Sequence, residues 1–312
     1  MAHTLTKQGG RAVRILTYIA DSSDEGRAVR SVVPRRFRLG QHAFRRLKML
    51  HAIHVNGQAV RADYIVHGGD EIRIHLPSDI PLETEAAAQP AADGSSLPAS
   101  FIRYQDEDIL IVSKGAPLPT LPARHIASGT LREQLIELLH ADPASFIYHP
   151  VNRLDKGTSG LLCVARHAHA QRLLTQQLHT GGFVREYLAV TEGIPDKAEG
   201  TIDAPIARLG TGTRRAVRED GQRAVTHYRV EQISDGRALI RLRLETGRTH
   251  QIRVHLAHIG CPISGDYLYG AELDVLPGRF ALHSAYIRLV HPITGRTLEL
   301  DEPLPGALEL LL

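Results

Sequence analysis

An aspartate set between a basic residue and a loop of small residues is the feature of this chain best suited to chemistry. It lies in HPVNRLDKGTSGLLCVAR (His149–Arg166), where Arg153 and Leu154 precede Asp155, and Lys156-Gly157-Thr158-Ser159-Gly160 leads into an apolar strand. Such a turn displays a carboxylate, which can act as a nucleophile; an Asp before Lys-Gly-Thr can equally do no more than cap the turn. Local pattern leaves these two readings level. Ser159 is not a candidate nucleophile, because Thr158-Ser159-Gly160 lacks the Gly-x-Ser-x-Gly elbow of a serine hydrolase. Eighteen histidines invite a metal site, above all His250, His255 and His258. No His-Glu-x-x-His accompanies them and Cys163 and Cys261 stand far apart, so no metal is expected. RLGTGTRR (Arg208–Arg215) is rich in glycine but lacks the Gly-Lys-Ser/Thr ending of a phosphate loop and reads as a turn.

Around Asp155, periodicity predicts the elements that must hold it. Strands are expected at Asp108–Val112, Leu161–Ala165, Tyr187–Thr191, Val225–Gln232, Ala238–Glu245, Ala285–Val290 and Thr297–Leu300. Helices are expected near Ala168–His179 and Thr249–Ile259, and Thr130-x-x-Glu133 is a capping box that opens another, to about His140. Strands in runs, separated by single helices rather than in regular β-α-β alternation, predict an α+β fold: a largely antiparallel mixed sheet flanked by helices. Further upstream, Leu39–Leu50 places Phe44, Leu47 and Leu50 on one helical face and leaves Arg45, Arg46 and Lys48 off it. A hairpin with an Asn56-Gly57 turn and a strand at Glu71–Leu76 follow. This makes a small N-terminal α/β module of residues 1–76.

The chain has 312 residues, enough for two domains, and its 43% apolar and 23% charged composition is that of a soluble globular protein. Pro77–Ser100 holds 15 Pro, Ala, Ser and Gly among its 24 residues and no aromatic, so residues 77–100 are expected to be a flexible linker before a larger domain, 101–312. Two isolated cysteines and no apolar run of membrane-spanning length suit a cytoplasmic protein away from membranes. Net charge is only +3, but residues 1–80 hold 13 Lys and Arg against 7 Asp and Glu, and Arg27–Ala62 carries nine basic residues and no acid. A run of one sign points to a polyanion, and nucleic acid is favoured over a bare solvated face.

Asp155 and its surroundings resemble the active-site motif of the RluA-type pseudouridine synthases, His-Arg-Leu-Asp-x-x-Thr-Ser-Gly. Later blocks resemble the same family in the same order: REYLAV (Arg185–Val190), GQRAVTHYRV (Gly221–Val230), ETGRTHQIRVHLAHIGCPISGDYLYG (Glu245–Gly270) and LHSAYIRLVHPITGRTLELDEPLP (Leu282–Pro305). MLHAIHVNGQAVRADYIVHGGDEIRI in the N-terminal module is similar to the S-four-like RNA-binding module, whose basic helical face docks on structured RNA. The resemblance implies an isomerase that needs no cofactor. Asp155 becomes the nucleophile, attacking the ribose or the uracil ring of a flipped uridine. A carboxylate kept ionised in a closed site needs a cation beside it; Arg253 and Arg248 are the candidates, Arg253 preferred from the family's Gln-Ile-Arg. Arg153 matches the arginine that enters the RNA stack. Tyr187 would stack on the flipped base and bring its hydroxyl near the C5 proton. Arg248, with Arg45, Arg46 and Lys48 on the module helix, would meet RNA phosphates. The implied partner is RNA, ribosomal by resemblance to large-subunit enzymes, and a monomer is expected. Two departures stand out: Asn152 replaces the motif's opening His, and SKGAPLPTLPAR (Ser113–Arg124) replaces a Lys-Pro-x-Gly run. They motivate two alternatives, an RNA-binding assembly factor without catalysis and a synthase acting on transfer RNA.

Overall fold

The computed structural model describes residues 2–8, 11–77, 101–122, 128–144, 146–270 and 276–312. Among these, ten strands form one sheet. From one edge its main path runs Glu199–Asp203, Val225–Ser234, Arg237–Leu244, Val184–Glu192, Leu282–Val290, Ser159–Ala165, Ile109–Lys114 and Ile102–Gln105. His149–Pro150 adds to the Ser159–Ala165 strand and Thr297–Asp301 to the Leu282–Val290 strand. The pairings are antiparallel except one. Ser159–Ala165 and Leu282–Val290 run parallel and pair only at Ser159 with His283 and Gly160 with Ser284. These two central strands diverge beyond that point, and the Asp155 loop enters there.

Burial explains why the central strands read as unbroken apolar runs: all seven residues of Ser159–Ala165 are buried. One face of the sheet packs against the Leu131–Leu138 helix through Leu131 and Leu135, the other against Ala168–Thr180 through Ala170 and Leu174. The expected fold class therefore holds, and the expected helices and strands appear with ends shifted by a few residues. The Thr130–Glu133 capping box is formed.

The N-terminal residues form a second sheet, with strands Ala2–Gln8, Arg11–Ile19, Glu71–Pro77, Ile53–Val55 and Gln58–Ala59 in that order. Helices Val29–Arg36 and Gln41–Met49 pack on it through Val32, Val33, Phe37 and Leu47. Asn56 and Gly57 both adopt positive φ, 50° and 83°, as the mirror-image hairpin turn requires. The helix face is narrower than its spacing predicts: Leu47 is buried, but Leu50 is 55% exposed because the helix ends at Met49. The acid-free charge run is also less free than it reads. Arg35 and Arg36 hold Asp24 at 2.6 and 2.8 Å, and Arg36 holds Asp21 at 2.8 Å, both partners lying just upstream of the run. The expected linker lies outside the described residues, apart from Pro77, which ends its strand. The module is docked on the larger sheet: Arg14, 4% exposed, donates to both oxygens of buried Asp108 at 3.2 and 3.1 Å.

Candidate active site

Short polar clamps hold the Asp155 loop from three sides. The Thr120 hydroxyl donates to the Leu154 carbonyl at 2.7 Å and accepts the Leu154 N–H at 3.2 Å. The Leu118 N–H reaches the Lys156 carbonyl, and the Thr158 N–H closes the turn on the Asp155 carbonyl. Two glycines allow this packing. A Cβ on Gly157 would lie 2.7 Å from the Phe280 ring, and one on Gly160, at φ +102°, would lie 2.2 Å from the Ser284 carbonyl oxygen. The loop thus sits flush against the chain at 279–284, which brings Phe280 under the site.

Arg253 is the centre of the arrangement. Its Nε and Nη2 donate to Asp266 at 2.7 and 2.8 Å, and its Nη1 donates to Asp155 Oδ2 at 3.0 Å. Its guanidinium lies between two aromatic rings, 4.2 Å from the Phe280 centroid and 5.0 Å from that of Tyr269. Burial works against its charge, but Asp266 and Asp155 more than offset this, so the arginine is held charged more firmly than usual. Asp266 is fully buried and also accepts the backbone N–H groups of Leu268 and Tyr269. Asp155 has a 30% exposed side chain, and among the described residues its Oδ1 accepts no hydrogen bond. One oxygen is clamped and the other is open to a ligand.

The helix that presents Arg253 starts abruptly. His250 precedes it at φ +59°, and Gln251 fixes the first turn by accepting from Thr246 and the Arg248 N–H while donating to Val225 and Thr226. His250 Nδ1 meets the Tyr269 hydroxyl at 2.9 Å, and its Nε2 lies 3.9 Å from Asp155 Oδ2. Burial lowers the basicity of His250, with Asp155 opposing that shift. The three helix histidines do not converge: His255 spends both ring nitrogens on Thr226 and Ala204, and His258 is exposed.

Of the two arginines open as partners for Asp155, Arg253 makes the contact. Arg248 is exposed and donates its Nε to the Arg223 carbonyl. Arg153 is exposed two residues before Asp155. Tyr187 is 4% exposed within the main core, and burial first, then Asp155, keeps its phenol protonated. Arg45 and Lys48 are exposed on the module helix and Arg46 is partly exposed, with Lys48 Nζ 5.3 Å from the centre of the Phe44 ring. Asn152 turns its Oδ1 to the Cys163 N–H, and Lys114 is buried with Nζ on the Gly115 and Leu118 carbonyls. Sequence reasoning missed Asp266, Tyr269, Phe280 and Lys114, and weighed His250 only as a metal ligand. The signal for Asp266 was a charge count, because a buried arginine serving a reactive carboxylate needs a second acid to hold it.

Residues 108–258 match the family model described as RNA pseudouridylate synthase. The chain is 36% identical over 261 residues to the uncharacterized RNA pseudouridine synthase YjbO of Bacillus subtilis, covering 83% of this chain and 89% of that protein. It is 40% identical over 256 residues to the ribosomal large subunit pseudouridine synthase D of Haemophilus influenzae, covering 77% and 75% of the two chains. The solved structure of human RNA pseudouridylate synthase domain containing 1 superposes with a TM-score of 0.55 at 25% identity, covering 72% of this chain and 90% of that one. On these matches the protein belongs to the RluA-type pseudouridine synthase family and is an isomerase that converts uridine to pseudouridine in RNA.

Proposed function

We propose that this chain modifies uridines in structured large-subunit ribosomal RNA, with Asp155 as nucleophile on a flipped base. The half-open carboxylate, fixed at one oxygen by Arg253 at 3.0 Å, carries this reading. Isomerisation breaks the bond from ribose C1′ to N1, turns the base, joins C5 to C1′, moves the C5 proton off carbon and leaves N1 protonated. Nothing is oxidised or reduced, so a side-chain nucleophile suffices and no cofactor enters the scheme. Attack on the ribose and attack on the uracil ring both need the free Oδ1. Arg253 acts by holding the other oxygen and the negative charge.

Extruding a stacked base costs a few kcal/mol and leaves a gap. Arg153 is exposed beside the loop and its planar guanidinium fits that gap. Tyr187 meets the flipped uracil with a phenol that burial keeps neutral. Arg248 on the rim, and Arg45, Arg46 and Lys48 on the N-terminal helix, meet phosphates. The division into an RNA-binding module at 1–76, a linker at 77–100 and a catalytic domain at 101–312 belongs to the same proposal, as does a monomer. Buried free thiols at Cys163 and Cys261 suit the cytoplasm.

The test is Asp155→Asn, which keeps shape and removes the nucleophile. On total RNA from a strain lacking the gene, pseudouridine formation should fall by at least about 10⁴-fold. Wild-type rates in the variant would refute the proposal, and mapping the modified sites identifies the RNA.

A further inference from the structure

Arg279 has a guanidinium that nothing in the described structure neutralises. It flanks the Asp155 loop: its Cα lies 3.2 Å from where a Gly157 Cβ would be, and Phe280 beside it faces Arg253. Its Nη2 donates to the Ser159 hydroxyl at 3.1 Å, and that hydroxyl meets His283 Nδ1 at 2.9 Å. Its Nε is buried without a partner. No described carboxylate touches it, whereas Arg253 has two. Its charge also bears on the buried Lys114, whose basicity burial lowers to about 7, with Arg279 adding to that shift. Lysine can escape an uncompensated site by losing its proton; arginine cannot. A guanidinium held half-buried without a counter-charge costs free energy in the unliganded protein, and an arriving anion removes that cost.

We infer that Arg279 binds the backbone phosphate adjoining the flipped uridine and so fixes the ribose against Asp155. The inference rests on the proposed function, and the phosphodiester is the anionic group a uridine in RNA brings to the site. A guanidinium fork matches two phosphate oxygens. Arg279 would therefore be a substrate-positioning contact, separate from the Arg253 clamp.

Sparse ethylation of RNA phosphates removes their charge one at a time. Total RNA from a strain lacking the gene, ethylated in this way, is treated with wild-type protein, Arg279→Met, Arg279→Lys and Ser159→Ala, and pseudouridine is mapped. With wild type, ethylation next to the target should block modification. With Arg279→Met that block should vanish while blocks elsewhere persist, and kcat/KM on unmodified RNA should fall about 10- to 100-fold, mostly through KM, with partial recovery in Arg279→Lys. The thermal midpoint of Arg279→Met should stay level or rise, since a charge without a partner has been removed. An unchanged interference pattern, with activity still dependent on Asp155, overturns the phosphate site alone. A lowered midpoint, with Ser159→Ala reproducing the loss, overturns it in favour of a brace. Absence of any Asp155-dependent pseudouridine overturns the proposed function and this inference with it.

Discussion

Two buried arginine–aspartate clusters sit in this molecule, and they are built to opposite ends. At the docking seam, Arg14 and His167 saturate Asp108, while Asp106 takes the Tyr104 hydroxyl, His291 and two backbone N–H groups. Burial of Asp106 is more than offset by these partners, so it is held ionised well below the ordinary carboxylate range. At the site, Arg253 saturates Asp266 in the same manner but gives Asp155 a single contact. The first cluster joins the N-terminal module to the larger sheet through Arg14 and Asp108. The second keeps one acid closed, which fixes the arginine, and leaves an oxygen of the other acid open.

Removing each arginine breaks this comparison most severely. Arg253→Met leaves Asp266, fully buried, without its guanidinium, and stability should drop by about 3–5 kcal/mol. It should also cost at least about 10³-fold in kcat, because Asp155 loses its clamp. Arg14→Met should lower stability by less, since His167 still holds Asp108 at 3.0 Å, and should leave kcat within a few-fold. Urea unfolding and single-turnover kinetics measure both. Equal losses of kcat in the two variants would mean that docking, not the clamp, sets the chemistry.

Lys114 sharpens the contrast, as a buried cation that lacks a closed partner. Burial, the main cause, and Arg279 lower its pKa from 10.5 to about 7, against the pull of Asp155. The sign follows from proton counts. Between about pH 7 and 10.5 the unfolded chain holds a proton that the folded chain has released, so this group makes stability rise with pH across that window. Below pH 7 both states are protonated and the burial cost is paid in full. Unfolding free energies at pH 7 and pH 9.5 should therefore differ more in wild type than in Lys114→Met, by up to a few kcal/mol. Equal pH slopes would place a counter-charge beside Lys114.

These clusters mark where the sequence was legible and where it was not. Periodicity located most helices and strands around the site, because those half-buried elements record their inner face in apolar spacing, while Ser159–Ala165, buried throughout, showed as an unbroken apolar run. The Asp155 loop was legible because a displayed acid needs small neighbours, and Gly157 and Gly160 prove to be the places where a Cβ has no room. Asp266 was not, because its pairing with Arg253 joins the turn Gly265–Tyr267 to a helix and leaves no periodic trace. Arg14 was hidden as well: it lies upstream of the basic run with nothing local to mark it, and only the fold shows it buried on Asp108. Docking also changes what a truncation tests, since deleting residues 1–76 strips Asp108 of its guanidinium. The cut should therefore carry Asp108→Asn.

The smallest effects separate used from unused charge within the N-terminal run. Arg35 and Arg45 look alike in sequence, yet Arg35 is spent on Asp24 at 2.6 Å, while Arg45 is exposed with no carboxylate partner among the described residues. Counterion release responds to cations that reach phosphates, so each lost contact should flatten the slope of log affinity against log salt by about 1. Arg45→Gln and Lys48→Gln should each do so and leave unfolding unchanged. Arg35→Gln should leave the slope alone and lower stability slightly, since Arg36 still covers Asp24 at 2.8 Å. Filter binding of total RNA from the deletion strain between 50 and 200 mM salt distinguishes them. If Arg35→Gln flattened the slope as much as Arg45→Gln, the ion pair with Asp24 would have to open on RNA, and the module would then bind with its whole basic run rather than with the helix face that Arg45 and Lys48 mark.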